Sequence, residues 1–181
     1  MSELKAVKIG VDDEEDEKLE ELRRVREMIV RRELSVSSSP ACDQVLPKPM
    51  RESLTSMPQV AGIVYLQQDK LNNCGQTSLR MIGFAEEVAV IGEDNDRQVN
   101  TLDMFRLVDE GKFILSDAQE TFRIQEVEAQ AQVLLCTYPG KENHWVVQAG
   151  GYIFDPARGV MRNRDYQETF QPNVLAAFSK T

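Results

Sequence analysis

The spacing of apolar residues divides the chain into an early helical part and a later sheet. In "KLEELRRVREMIVRREL" the positions Leu19, Leu22, Val25 and Ile29 recur every three or four residues, which predicts an amphipathic helix over 15–34. Acidic residues lie at its start and arginines toward its end, an arrangement that the helix dipole favours. We expect this helix either to dock its apolar stripe on its own domain or to contact a partner, for example as a pro-segment.

The stretch 35–59 separates this helix from the rest of the chain. It carries four prolines among small polar residues, and such a composition buries too little apolar surface to order itself. We therefore expect residues 1–59 to form a charged helix followed by a Pro- and Ser-rich arm that is disordered and serves regulation or translocation. Residues 60–181 are expected to form one folded domain.

Three segments after residue 60 have readable periods. "AGIVYLQQ" predicts a short strand over 61–68, and "CGQTSLRMIGF" predicts a buried helix with Leu79 and Ile82 on one face. "TLDMFRLVDEG" predicts a second helix with Thr101 as its N-cap and Gly111 as its stop. The apolar positions of this second helix are expected to face the core: Leu102, Phe105, Leu107 and Val108.

The C-terminal part changes to the periods of strands. "AQVLLCTYPG" is a continuous apolar run, and "HWVVQAGGYIFDPARG" consists of two short runs joined at Gly150-Gly151. The pair of runs predicts a hairpin beside a further strand. Helices early in the chain followed by antiparallel strands indicate the α+β class.

Composition and charge weigh against several classes of protein. The formal net charge of -9 disfavours binding to phosphate backbones, so no nucleic-acid partner is expected. No run approaches the roughly 18–20 apolar residues of a membrane span, and the N-terminus lacks the apolar region of a Sec signal peptide. We expect no membrane partner, and a cytoplasmic protein or one secreted without a Sec signal as an effector.

The cysteines and the single histidine limit the chemistry. Cys42, Cys74 and Cys136 are widely spaced and form no C-x-x-C motif, which favours reduced thiols over a disulfide scaffold. One histidine disfavours a zinc site, and no metal or organic cofactor is expected. Cys136 lies in an apolar run and is predicted to be a buried structural thiol, whereas Cys42 lies in the arm and is incidental.

Cys74 differs from the other two cysteines because it stands where a helical pattern begins among polar residues, "NNCGQTS". The pKa of a thiol falls at a helix N-terminus or beside an imidazolium, and the thiolate is the nucleophile. The unpaired N–H groups of the first turn can also stabilise an oxyanion. Gly75 is expected to leave room for a substrate backbone. Cys74 is therefore the candidate nucleophile.

A thiolate needs a base, and His144 is the one imidazole in the chain. His144 opens the first arm of the predicted hairpin and Asp155 closes the second, so adjacent strands can bring both side chains to one end of the sheet. Asp155 is then the candidate for holding the ring tautomer. Gln68, six residues before the cysteine, is the candidate for a side-chain oxyanion donor.

The three blocks "QDKLNNCG", "HWVV" and "DPARG" resemble, in this order, those of papain-like cysteine peptidases. Within that clan they are most similar to the double-glycine leader peptidases that process bacteriocins, with papain-fold glutamine deamidase effectors as near relatives. The resemblance covers about 67–170 and implies a papain-like α+β fold. It implies Cys74 as nucleophile, His144 as general acid/base, Asp155 as orienting residue and Gln68 as oxyanion donor.

We therefore expect a papain-like cysteine hydrolase that cuts peptide or amide bonds of a peptide or protein substrate through a thioester. Asn73 stands where the leader peptidases usually have aspartate, and the hairpin from His144 to Asp155 is shorter than theirs, so their substrate is not carried over. One alternative is a protein-glutamine deamidase, or a transglutaminase-like effector or toxin, with the same triad. Another is a non-catalytic interaction module that docks through the N-terminal helix. A third is self-processing of the arm.

Overall fold

The computed structural model describes residues 13–37, 58–70, 73–91, 98–117, 124, 131–138 and 143–181. Within these ranges the protein is an α+β fold with a six-stranded antiparallel sheet, which confirms the predicted class. Most of the predicted arm lies outside the described residues, as do residues 92–97 and Cys42. The described part contains no helix that is long and apolar enough to cross a membrane.

The order of the elements differs from the predicted order of helices followed by strands, because a fifth helix lies between the last two strands. The helices are α1 (Asp13–Ser37), α2 (Cys74–Met81), α3 (Ala85–Ile91), α4 (Thr101–Asp109) and α5 (Asn163–Phe170). The strands are β1 (Phe113–Asp117), β2 (Gln132–Thr137), β3 (Asn143–Ala149), β4 (Tyr152–Asp155), β5 (Gly159–Arg162) and β6 (Asn173–Lys180).

The sheet has the order β1-β6-β2-β3-β4-β5. The strand predicted from "AQVLLCTYPG" is β2, and it pairs with both β3 and β6 at the centre of the sheet. The predicted hairpin is β3 and β4, with Gly150 and Gly151 both at positive φ in the turn. Glycine is suited to these two positions because it adopts positive φ without a steric penalty. Both strand predictions are confirmed.

Alternate residues of each strand point to opposite faces, so the sheet has two separate apolar clusters. On one face Leu135, Trp145 and Val147 pack with α1, α2, α3 and α4 in the larger cluster. On the other face Leu134, Cys136, Val146 and Ile153 pack with Tyr166 of α5. The larger cluster is the main core, and the smaller one lies behind the β3–β4 hairpin.

The predicted helices are present, with corrections at individual residues. The helix predicted over 15–34 is α1, and its Ile29 is buried in the main core. The N-cap of α4 is Asn100, whose side chain accepts from the Asp103 N–H at 3.0 Å, so the assignment of Thr101 as N-cap is wrong. Leu102 is 60% exposed, whereas Met104 is buried in its place. The capping box sets this rotation of α4, and the apolar pattern alone does not fix it.

The strand predicted over 61–68 is wrong, because 63–68 is irregular chain that joins no ladder. Its backbone is held instead by two bonds to different parts of the fold. The Val64 N–H donates to the Met81 carbonyl at 3.0 Å, and the Gln68 N–H donates to the Pro156 carbonyl at 2.9 Å. The segment thus crosses from the end of α2 to the turn after β4, with no parallel or antiparallel neighbour along its length. Apolar alternation predicts a strand only where such a neighbour exists.

Candidate active site

Cys74 is the first residue of α2, and the helix holds it against strand β3. Asn73 is the N-cap of α2, and its carbonyl accepts the Thr77 N–H at 2.9 Å. The Ser78 hydroxyl donates to the Trp145 carbonyl at 3.1 Å, which ties α2 to β3 inside the core. The Cys74 side chain is half-buried. The predicted start of the helix at the cysteine is confirmed.

Gly75 serves the packing of α2, and the expectation that it faces a substrate is wrong. The residue is buried, and a Cβ there would lie 2.6 Å from Val99 Cβ and 3.1 Å from Trp145 Cδ1. The Trp145 indole N–H donates to the Val99 carbonyl at 3.0 Å, so these two neighbours are fixed to each other. Only glycine lets the first turn of α2 approach them this closely.

His144 is the second residue of β3, and its ring lies close enough to Cys74 that its charge and a side-chain hydrogen bond lower the pKa of the thiol. A hydrogen bond from the Trp145 backbone N–H lowers the same pKa. Trp145 pairs with Leu135 of β2 but lies beyond the end of the β3–β4 ladder, whose last pair is Val147 and Phe154. The structure therefore brings together the cysteine and the histidine that lie 70 residues apart in the sequence.

Asp155 is the last residue of β4, and its carboxylate is fully buried beside the histidine. The His144 Nε2 lies 2.8 Å from Asp155 Oδ1, which leaves Nδ1 as the ring nitrogen for the thiol. The backbone N–H groups of Ala157 and Arg158 donate to the same oxygen at 2.7 and 3.0 Å. The short turn after the strand thus fixes the carboxylate as it faces the ring.

The charges of these groups shift their pKa values in the directions that an ion pair requires. Burial raises the pKa of Cys74, but the charge of His144 and the hydrogen bonds from its ring and from the Trp145 N–H bring the net pKa below its ordinary value. Burial lowers the pKa of His144, but Asp155 and the Cys74 thiolate outweigh it and raise the net pKa to about 10. A thiolate and an imidazolium are therefore the favoured forms between these two pKa values.

The same balance keeps Asp155 ionised. Burial raises the pKa of this carboxyl group, but the His144 charge and hydrogen bond, together with Arg158 and Tyr166, hold the net pKa well below its ordinary value. A buried carboxylate is stable only when it is paired and hydrogen-bonded, and both conditions are met here.

Gln68 is buried against the turn that follows Asp155. Its backbone N–H donates to the Pro156 carbonyl at 2.9 Å, and its side-chain Nε2 donates to the Lys70 carbonyl at 3.0 Å. Gln68 thus lies beside the turn that follows Asp155, and its side-chain amide donates one proton within its own loop. A role as oxyanion donor requires that an Nε2 proton point toward the carbonyl oxygen of the substrate.

A second group of polar side chains contacts Asp155 Oδ2, the carboxylate oxygen that does not face His144. The sequence analysis did not predict this group. Tyr166 of α5 donates its hydroxyl to Asp155 Oδ2 at 2.5 Å, and Arg158 Nη1 lies 3.0 Å from the same oxygen. The Tyr138 and Tyr166 hydroxyls lie 2.6 Å apart. Arg158 stands inside the "DPARG" block, which gave a signal. Tyr166 gave none, since only the docking of α5 brings it to the carboxylate.

Cys136 and Trp145 serve the packing of the fold. Cys136 is fully buried, as predicted, and burial raises the pKa of its thiol far above the ordinary value. Trp145 packs in the main core, with its ring 6.1 Å from the ring of Phe178. Among the residues that the structure describes, no group of three or more His, Cys, Asp or Glu side chains could hold a metal ion.

The chain matches no protein-family model and no curated protein sequence.

Proposed function

We propose that this protein is a papain-like cysteine hydrolase that cleaves amide bonds through a thioester. The observation that carries the proposal is the continuous contact from the Cys74 thiol to the His144 ring and from His144 Nε2 to the buried Asp155 carboxylate at 2.8 Å. A nucleophile, a base and a group that orients the base are the three parts that covalent acyl transfer requires.

The arrangement of elements supports the papain-like assignment. The nucleophile begins a helix that packs against an antiparallel sheet, and the base and its carboxylate come from two neighbouring strands of that sheet. The three side chains occur in the order Cys74, His144 and Asp155 along the chain. This order and these elements agree with the fold that the sequence blocks imply.

In the acylation step, the Cys74 thiolate attacks the carbonyl carbon of the substrate and a C–S bond forms. The carbonyl electron pair moves to oxygen and gives a tetrahedral oxyanion. When that pair returns, the C–N bond breaks and the His144 imidazolium gives its Nδ1 proton to the departing amine. Asp155 holds the ring so that this nitrogen faces the sulfur and the leaving group.

In the deacylation step, neutral His144 removes a proton from water, and the resulting hydroxide attacks the thioester carbon. The C–S bond breaks, the carboxylic acid leaves and the thiolate–imidazolium pair is restored. The N–H groups of the first turn of α2 can stabilise the oxyanion of both steps, and Gln68 would supply a second donor by turning Nε2 away from the Lys70 carbonyl.

Thiol reactivity tests the central contact. At pH 6 iodoacetamide should alkylate Cys74 at least about tenfold faster than Cys42, because an unperturbed thiol with a pKa near 8.5 is almost fully protonated there. His144→Ala should remove this advantage, and a matched Tyr152→Ala change on the same hairpin should keep it. Equal rates for Cys74 and Cys42 in the wild type, measured by mass spectrometry of the peptides, would refute the proposal.

Incubation with peptide and protein substrates tests the reaction itself. Intact-mass spectrometry should find shortened chains with the wild type and none with Cys74→Ser. A gain of about one mass unit per glutamine without cleavage would assign the same thioester chemistry to deamidation. A mass increase equal to the added amine less the released ammonia would assign it to transfer. If Cys74 is reactive but no mass changes with any substrate class, hydrolysis is wrong and docking through α1 becomes the function to test.

A further inference from the structure

The buried carboxylate of Asp155 receives more hydrogen bonds than are needed to orient the histidine. Oδ1 accepts from His144 Nε2 and from the N–H groups of Ala157 and Arg158. Oδ2 accepts from the Tyr166 hydroxyl at 2.5 Å and from Arg158 Nη1 at 3.0 Å. The two backbone donors fix the oxygen that faces the ring, so the two side-chain donors on Oδ2 are not required to aim it.

The donors on Oδ2 form a directed chain. Tyr166 has one hydroxyl proton and gives it to the carboxylate, so Tyr138, whose hydroxyl lies 2.6 Å away, must donate to the Tyr166 oxygen. Arg158 Nη1 also donates to that oxygen at 3.2 Å. The guanidinium lies over the Tyr138 ring at 4.4 Å and over the Phe170 ring at 4.8 Å, which holds it in place.

Donors on one carboxylate oxygen reduce the negative charge that the other oxygen presents. A hydrogen bond to a charged group is stronger and shorter than one between neutral groups, and 2.5 Å lies at the short end of the range for O–H···O⁻. The carboxylate in turn determines how strongly the imidazolium keeps its proton. A group that draws charge from Asp155 therefore makes His144 a better acid toward a leaving amine.

We propose that Tyr166 and Arg158 are positioning residues that tune the acidity of the His144 imidazolium by drawing negative charge onto Oδ2 of Asp155. This role rests on the proposed function, since it adjusts the general acid of that same site. Without these two donors Asp155 would bind the ring proton more tightly, and the leaving amine would be protonated less readily.

The groups that face this carboxylate and ring come from several parts of the fold. Tyr65 donates its hydroxyl to the Asp155 backbone carbonyl at 3.3 Å. The titratable and charged groups that face Asp155 or His144 from the surrounding elements are Tyr65, Cys74, Cys136, Tyr138, Arg158 and Tyr166. Because Cys74 couples directly to the ring, the test removes it.

The single histidine of the chain makes the measurement specific. In a Cys74→Ser background, purified without a polyhistidine tag, the ring C–H resonances observed by NMR report the titration of His144 alone. Tyr166→Phe should raise the midpoint of that titration by roughly 0.5–1 pH unit, because the carboxylate keeps its aim and gains effective charge. Arg158→Met should raise it in the same direction, so the test stands even if Tyr166→Phe does not fold.

Two controls separate tuning from general damage. Tyr152→Phe makes the same substitution on β4 but on the opposite face from Asp155, and it should leave the midpoint unchanged. Tyr166→Phe combined with Asp155→Asn should titrate as Asp155→Asn alone, since the effect passes through the carboxylate. A folded Tyr166→Phe or Arg158→Met variant whose midpoint stays the same or falls would overturn the inference.

The outcome is independent of the test of the proposed function. That function fails if Cys74 of the wild type is alkylated no faster than Cys42 at pH 6. The tuning by Tyr166 fails if the His144 midpoint does not move in the Cys74→Ser background. Reactive Cys74 with an unmoved midpoint would therefore preserve the hydrolase and remove only the role of the tyrosine and arginine.

Discussion

At the scale of single residues, Asp155 is the group on which the site depends most. Its carboxylate is completely buried, yet it stays ionised because the side chains of His144, Arg158 and Tyr166 donate hydrogen bonds to it. Two backbone N–H groups also donate to it. Removing one partner of a buried ion pair usually costs more than the pair contributes when intact, because a charge is left without a counter-ion.

This arrangement predicts how stability changes with pH. The folded pKa of Asp155 lies below its ordinary value of 3.8, so its stabilising contribution is present above about pH 4 and is lost as the pH falls further. The folded pKa of His144 lies above its ordinary value of 6.5, so its contribution is complete below that pH and is lost toward about pH 10. Both contributions are complete between about pH 4 and 6.5.

Asp155→Asn should therefore lower the free energy of unfolding by about 3 kcal/mol at pH 5.5, and the loss should shrink as the pH is lowered below 4 or raised toward 10. Urea denaturation over this pH range measures the difference. Asp165→Asn, on the exposed side of α5, should change stability by less than about 1 kcal/mol at every pH. A pH-independent loss for Asp155→Asn would contradict the buried ion pair.

At the scale of elements, the position of Cys74, the proposed nucleophile, depends on how closely α2 approaches β3. The Ser78 hydroxyl bonds the Trp145 carbonyl, and Gly75 fits where a Cβ would lie 2.6 Å from Val99 Cβ. Real Cβ atoms do not approach other atoms this closely, so any side chain at Gly75 must push the helix away from the strand. Cys74, one residue earlier, would move with it.

Gly75→Ala should lower the free energy of unfolding by about 1–3 kcal/mol, even though alanine favours a helix more than glycine does. It should also slow alkylation of Cys74 at pH 6, because the sulfur is displaced from His144. Arg80→Ala, on the exposed face of the same helix, should change stability by no more than about 0.5 kcal/mol. Wild-type stability for Gly75→Ala, in urea denaturation, would show that α2 is not held this tightly.

At the scale of the whole molecule, one sheet separates two apolar layers, and the site takes residues from both sides of the sheet. Cys74 comes from the helices on the face of the main core, whereas Asp155 and Tyr166 belong to the other face. The N-terminal helix α1 joins the main core through Ile29, and Arg26 bonds Asp109 of α4 at 2.6 Å. The charged helix therefore shares the core of the rest of the described fold.

Ile29→Ala should lower the free energy of unfolding by about 3 kcal/mol, because it leaves a cavity in the main core. Leu22→Ala, on the same stripe but 46% exposed, should cost less than about 1 kcal/mol. Denaturation monitored by the single tryptophan, Trp145, which lies in that core, measures both. Equal, small losses for the two variants would show that α1 is not anchored to the core.

The sequence alone was sufficient where the signal is local. The period of apolar residues predicted α1, α2, β2 and the β3–β4 hairpin, because each of these elements buries one face along a regular spacing. It also singled out Cys74, His144 and Asp155, since a lone histidine and a cysteine at a helix start leave few choices of reactive side chain. It failed for 61–68, where alternation without a neighbouring strand produces no ladder.

Only the tertiary structure decided which distant groups meet. Tyr166 reaches Asp155 because α5 docks behind the hairpin, and Gly75 faces Val99 and Trp145 because α2 packs against β3. Local sequence patterns do not predict such contacts, because a tyrosine on a helix or a glycine in a helical turn is compatible with many different neighbours. The sequence therefore identifies the candidate reactive residues, whereas packing sets the charges around them.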